Sequence, residues 1–240
     1  MADYNTIRAG RVGAGAVHID AGLKAHMNKV YGLMSIGLAV TGLVAYFVGS
    51  NDALLASIFG TPLKWVVMFA PLAVVFAFSA MIGKMSAATA QLVFFGFAAL
   101  MGLSISYIFA VYTGVSIAQT FLITAIAFAG LSLYGYTTKR DLSAMGAFLV
   151  MGLIGLIVAS IVNIFLASSA MAFAISVIGV LIFAGLTAFD TQRIKNDYIE
   201  HAQMGDADWL AKSAILGALT LYLDFLNLFM FLLSFLGNRE

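Results

Sequence analysis

Charged residues are so sparse along most of this chain that the gaps between them are the first pattern to read. A helix crossing the hydrocarbon of a bilayer needs roughly 20 apolar residues, and the uncharged intervals come in that length or a multiple of it. Val30–Asn51, between Lys29 and Asp52, predicts a first span, and Trp65–Gly83, between Lys64 and Lys84, a second. The 54 residues Met85–Thr138 carry no charge, too many for one helix and right for two. Their break falls at Tyr112-Thr113-Gly114-Val115-Ser116, a turn-forming cluster. The 48 uncharged residues Leu142–Phe189 divide in the same way near Ala167-Ser168-Ser169. Beyond a charged connection, a last apolar stretch runs from about Ser213 to Leu236. The fold class is therefore an all-α membrane protein of seven transmembrane helices, with a tail at 1–29 and the seven-helix domain at 30–240.

Composition agrees and excludes much else. Hydrophobic residues make up 62% of the chain and charged ones 10%, against about 45–50% and 25% in soluble domains. Twenty-three charges cannot clothe a soluble globule of 240 residues, so lipid must cover the rest. Cytosolic enzymes, nucleic-acid binders and disordered regulators are set aside, and a net charge of +1 gives no reason to expect a nucleic-acid partner. Cysteine is absent, which removes disulfides, thiolate nucleophiles and Cys-ligated metals. The first 29 residues contain no apolar run long enough for a signal-peptide core, so the first span is expected to direct its own insertion.

Basic residues near helix ends stay on the cytoplasmic side. With seven spans, the tail and the 2–3, 4–5 and 6–7 connections share a side and hold ten of the twelve Lys and Arg residues; Lys64 and Arg239 lie on the other. The N-terminus is expected in the cytoplasm and the C-terminus outside. The first three spans do not obviously repeat in the next three, which argues against an inverted-repeat transporter.

Asp224 is the one charge in the middle of a span. It lies about 11 residues into the seventh, roughly 16 Å along a helix rising ~1.5 Å per residue. An ionised Asp there costs on the order of 2.5–3.5 kcal/mol, so such a residue is a functional candidate. Thr220 and Asn227 share its face, and this polar stripe must meet protein or water, which puts the seventh helix at the centre. Asp190 ends the sixth span in Leu186-Thr187-Ala188-Phe189-Asp190-Thr191-Gln192. The two acids can meet only if the sixth helix runs a turn or more beyond Asp190, toward Lys195. Carboxyls that close would titrate as one coupled unit. Deprotonated, they would offer Ca²⁺ the hard oxygen ligands it prefers, with Asn227 in support. Thr187 lies one turn before Asp190, and Arg193, just past it, is a candidate partner for either acid.

Phe189-Asp190-Thr191-Gln192 closing the sixth helix, with Leu221-Tyr222-Leu223-Asp224-Phe225-Leu226-Asn227-Leu228-Phe229 in the seventh, resembles the Bax inhibitor family, the transmembrane Bax-inhibitor-motif proteins, in its bacterial branch. The similarity extends from about Met27 to Leu236. It implies that helix 7 is central and surrounded by the other six, in two three-helix layers. It also implies that Asp190 and Asp224 form a pH-sensing pair at the cytoplasmic mouth of a pore, and that the activity is a pH-dependent calcium leak with Ca²⁺ and H⁺ as the ions concerned. Better-known members carry an arginine in the second helix that latches onto the pair; here that helix has no basic residue before Lys84. Some bacterial relatives are instead linked to a membrane-bound ATP-dependent protease, so a non-conducting modulator acting through protein contacts is the alternative.

Enzymatic readings fare worse, and no cofactor is expected beyond Ca²⁺ as a bound or permeant ion. Intramembrane aspartyl proteases carry Gly-x-Gly-Asp on their second acidic helix, whereas Leu221-Tyr222-Leu223 precedes Asp224. A retinal photoreceptor needs a mid-helix lysine, and there is none. Serine and zinc intramembrane proteases need histidines in the membrane; His18, His26 and His201 lie outside the spans and read as solvated or interfacial.

Overall fold

The computed structural model describes residues 4–201 and 206–239, with side chains from Asp20 onward except at Ala207. Its α-helices are α1 (Tyr4–Gly49), α2 (Asp52–Phe59), α3 (Leu63–Met81), α4 (Ala87–Ile105), α5 (Gly114–Thr137), α6 (Ser143–Leu166), α7 (Ser169–His201) and α8 (Ala207–Leu236). Seven of them are long and apolar enough to cross a membrane, α1 from Asp20 onward together with α3 to α8. The expected seven spans are all present. Helix α1 is continuous through the expected start at Val30, so Lys24 and Lys29 lie on the same helix as the first span. Helix α2 was hidden in a connection too short to show periodicity.

Both expected breaks are turns. Thr113 caps α5 by accepting the Ser116 N–H at 3.2 Å, relieving one of the unpaired amides at a helix start. At the other, Ala167 closes α6 in the left-handed conformation, with φ of 48°. Its N–H donates to the Asn163 carbonyl at 2.8 Å, and Asn163 Oδ1 accepts the Ser168 N–H at 3.1 Å. The left-handed conformation costs an alanine about 1 kcal/mol that glycine does not incur. Ala167→Gly is therefore expected to raise the melting midpoint in detergent by roughly 2–4 °C, and an unchanged or lower midpoint would show that the turn carries no such strain.

Helix α8 is the most enclosed span, with 61% of its apolar window buried against 11% for α6. It packs chiefly against α7, α1, α5 and α4; α3 leans on α4, and α6 on α7. Where a ring of six was expected, four helices line α8 extensively. The outward helices can show Phe148, Met151, Ile164 and Phe165 on their bare faces, because lipid is as apolar as a protein core. Tyr222 anchors the centre. It is fully buried on α8, edge-on to Phe94 and Phe97 of α4. Its hydroxyl donates to Thr41 Oγ1 at 2.6 Å, which donates on to the Ala98 carbonyl at 2.8 Å, so one chain of bonds ties α8, α1 and α4 without leaving a polar group alone in the apolar core.

The C-terminal end returns to the α4–α5 connection. Thr113 N donates to the Asn238 carbonyl at 3.2 Å, and Asn238 N donates to Ser116 Oγ at 2.8 Å. The two therefore share a face, as the four crossings α5 to α8 between them require.

Candidate functional site

The two acids meet because α7 does not stop at the membrane boundary that its sequence suggests. It continues eleven residues past Asp190 to His201, and it packs along α8 more extensively than any other helix pair in the fold. That carries Asp190 inward. Asp190 and Asp224 are each 5% exposed, and their carboxyl groups lie close enough to interact directly. Asp190 is thus no interfacial residue solvated by headgroups.

Polar satisfaction is incomplete at this point. Asp190 Oδ1 and Asp224 Oδ2 are buried without a hydrogen-bond partner among the described residues. A buried acceptor left unpaired costs roughly 1–3 kcal/mol, and native structures hold few of them. Arg193, one turn further along α7, brings Nη2 to 2.9 Å from Asp190 Oδ1, near enough for an ion pair but not aligned as a hydrogen bond. Its guanidinium also sits 5.7 Å from the Phe189 ring centroid and is half exposed. Lys195, two residues further on, instead donates to the Tyr136 carbonyl of α5 at 2.8 Å.

The supporting residues divide. Thr187 is fully buried and donates to its own helix at Phe183, 2.7 Å away. Asn227 is half-buried, and its Nδ2 donates to the Leu223 carbonyl at 2.8 Å, which leaves its Oδ1 as the free end of the amide. Thr220 is likewise half-buried, so the stripe Thr220–Asp224–Asn227 is buried most deeply at its acid. For a resident metal the two acids fall short alone, since no group of three or more His, Cys, Asp or Glu able to hold an ion occurs among the described residues. Calcium favours six to eight oxygens, more than two carboxyls supply.

Sequence reasoning missed what holds the pair in place. Gln192, buried beside Asp190, accepts the Leu142 N–H at 2.9 Å and donates to the Arg140 carbonyl at 2.8 Å, clamping the α5–α6 connection to α7. Tyr31 of α1 donates to Ser132 of α5 at 2.6 Å, Ser132 donates to Thr191 of α7 at 2.9 Å, and Thr191 donates to the Thr187 carbonyl at 2.7 Å. These partners stand 101 and 59 residues apart, so no local spacing announces them. Gly135 lets α5 approach α7, because a Cβ there would collide with the Ala188 carbonyl two residues before Asp190. His26 corrects an expectation: it is buried in α1 with its ring centroid 4.9 Å from that of Tyr198, since α1 enters the bundle earlier than its charges suggested.

A seven-span, all-α integral membrane protein with an acid pair buried between its last two helices is the class that these features define. Residues 23–240 match the family described as "Inhibitor of apoptosis-promoting Bax1", and the chain belongs to that Bax inhibitor family. It is 49% identical over 221 residues to the inner membrane protein YbhL of Escherichia coli, covering 92% of this chain and 94% of YbhL. A protein of Rickettsia prowazekii is 47% identical over 221 residues and one of Caulobacter vibrioides 48% over 232 residues, each match covering 92% of both chains.

Proposed function

We propose that this protein leaks Ca²⁺, or a cation like it, across a bacterial inner membrane at a rate set by the protonation of Asp190 and Asp224. The observation that carries the reading is the meeting of two buried, incompletely bonded carboxyls at the most extensively packed helix pair in the fold. With a proton between them the acids sit together without net repulsion; with both ionised they repel across α7 and α8 and present oxygen ligands to a cation. Either change alters the packing of two spans, which is what a gate requires. Arg193 acts as the latch, holding Asp190 by charge from the edge of the site. The excess of basic residues on one side puts the N-terminus and Arg193 in the cytoplasm and the C-terminus outside.

The test is Ca²⁺ release from vesicles holding the purified protein, followed over a series of pH values against protein-free vesicles. Release is expected to change with pH through one titration. Folded protein that releases nothing at any pH would contradict the leak and leave the other role, a non-conducting modulator of a partner such as a membrane-bound ATP-dependent protease. Arg193→Gln removes the positive charge 2.9 Å from Asp190, so the midpoint of that titration is expected to shift. An unmoved midpoint would deny Arg193 the latch.

A further inference from the structure

A second feature lies between α1 and α5. Helices α1 and α5 both pack on α8 but make no extensive contact with each other, and between them opens a cleft of about 1640 Å³ floored by Phe225, Leu226 and Phe229. It runs along α1 from Lys24 to Tyr46, about 33 Å at ~1.5 Å per residue, the height of a bilayer's hydrocarbon. Sites for drug-sized molecules hold roughly 300–1,000 Å³, so this cleft suits something larger.

Its chemistry is lopsided. Lys24 is the only charged residue in the lining and sits at one end, with Asn28, Tyr31, Ser132 and Tyr136 close by. Beyond them the walls are almost wholly apolar: Ser35 and the already bonded Thr41 interrupt them, and Tyr46 stands at the far end. Lys24 and Asn28 are exposed, and Lys24 joins neither of the two ion pairs found among the described residues. Lys139 and Arg140 follow Tyr136 by three and four residues, adding positive charge to the end of α5. A transmembrane helix entering the cleft would need a polar end at each interface. A lipid needs only one.

We propose that this cleft binds an anionic phospholipid of the leaflet facing the N-terminal end of α1, with its phosphate at Lys24 and Asn28 and its chains laid between α1 and α5. A basic residue at a membrane surface attracts anionic lipid by about 1 kcal/mol, and a recess between spans beside such residues is a recurring headgroup site. The cleft wall is also tied to α7, since Tyr31 and Ser132 begin the hydroxyl chain that ends there at Thr191 and Thr187. The proposal stands apart from conduction, because occupancy is read without any flux.

The test is native mass spectrometry of the full chain in detergent, titrated separately with phosphatidylglycerol and phosphatidylcholine. Wild type is expected to retain one phosphatidylglycerol at concentrations where phosphatidylcholine is lost. Lys24→Ala, at an exposed position, is expected to weaken phosphatidylglycerol about fivefold while leaving phosphatidylcholine unchanged. Ala39→Trp, at an exposed position within the cleft, is expected to exclude both lipids while the melting midpoint stays near that of wild type. Equal retention of the two lipids, or phosphatidylglycerol binding that both variants leave intact, would overturn the proposal. The chain has no cysteine, so Ala39→Cys supplies a unique thiol; its oxidation to a disulfide-linked dimer in membranes would place a second copy in the cleft and overturn the proposal too.

Discussion

Asp224→Asn is expected to abolish the pH dependence of Ca²⁺ release while leaving the protein folded. Asparagine matches the shape of aspartic acid and cannot titrate, and its amide can donate to Asp190 where the acid in its ionised form cannot. A gate governed by one titrating proton changes its populations about tenfold per pH unit beyond the midpoint, so the wild-type dependence should be large and its loss unmistakable. Asp190→Asn is expected to do the same, because the proposed gate needs a proton shared by both carboxyls. Release measured at several pH values for both variants checks this. A variant that kept the wild-type profile would remove its aspartate from the gate.

The second large effect concerns the frame around the pair. Gly135→Ala puts a methyl group into the Ala188 carbonyl, and a backbone atom cannot swing aside as a side chain can. Overpacking of this kind costs about 3 kcal/mol, or roughly 6–12 °C in melting midpoint for a chain of this size. Gly130→Ala, on the same helix but facing open space, is the control and should stay within roughly 0.5 kcal/mol of wild type. If the two variants melted alike, α5 and α7 would not be in the close contact described. Because Ala188 lies two residues before Asp190, Gly135→Ala is also expected to disturb the pH profile of release.

The sequence made the spans legible because lipid imposes one strong rule: an uncharged run of sufficient length is a helix, and Thr113 and Ala167 fall where the long runs had to break. Asp224 was legible for the converse reason, a charge where none is tolerated cheaply. Arg193 could be suspected from its one-turn spacing to Asp190, yet only the bundle shows that the arginine turns to that acid while Lys195 turns away to Tyr136. What escaped depends on helix against helix. Nothing near Tyr31, Ser132 or Thr191 in the chain hints that three hydroxyls from three helices form one line. Gly135 looked like one small residue among many, although it alone of the α5 glycines meets the backbone of α7. The cleft between α1 and α5 is a failure of two apolar helices to pack along most of their length, and apolar sequence reads the same whether it faces protein or lipid.

Sharing of a proton between Asp190 and Asp224 can be observed without any flux. Infrared difference spectra of the protein in lipid, recorded across pH, report the carbonyl stretch of a protonated carboxyl. One such band is expected, disappearing over the same pH range in which release changes and altered by either Asp190→Asn or Asp224→Asn. A band that neither variant touches, or two that titrate independently of each other, would mean that the acids lie side by side without acting together.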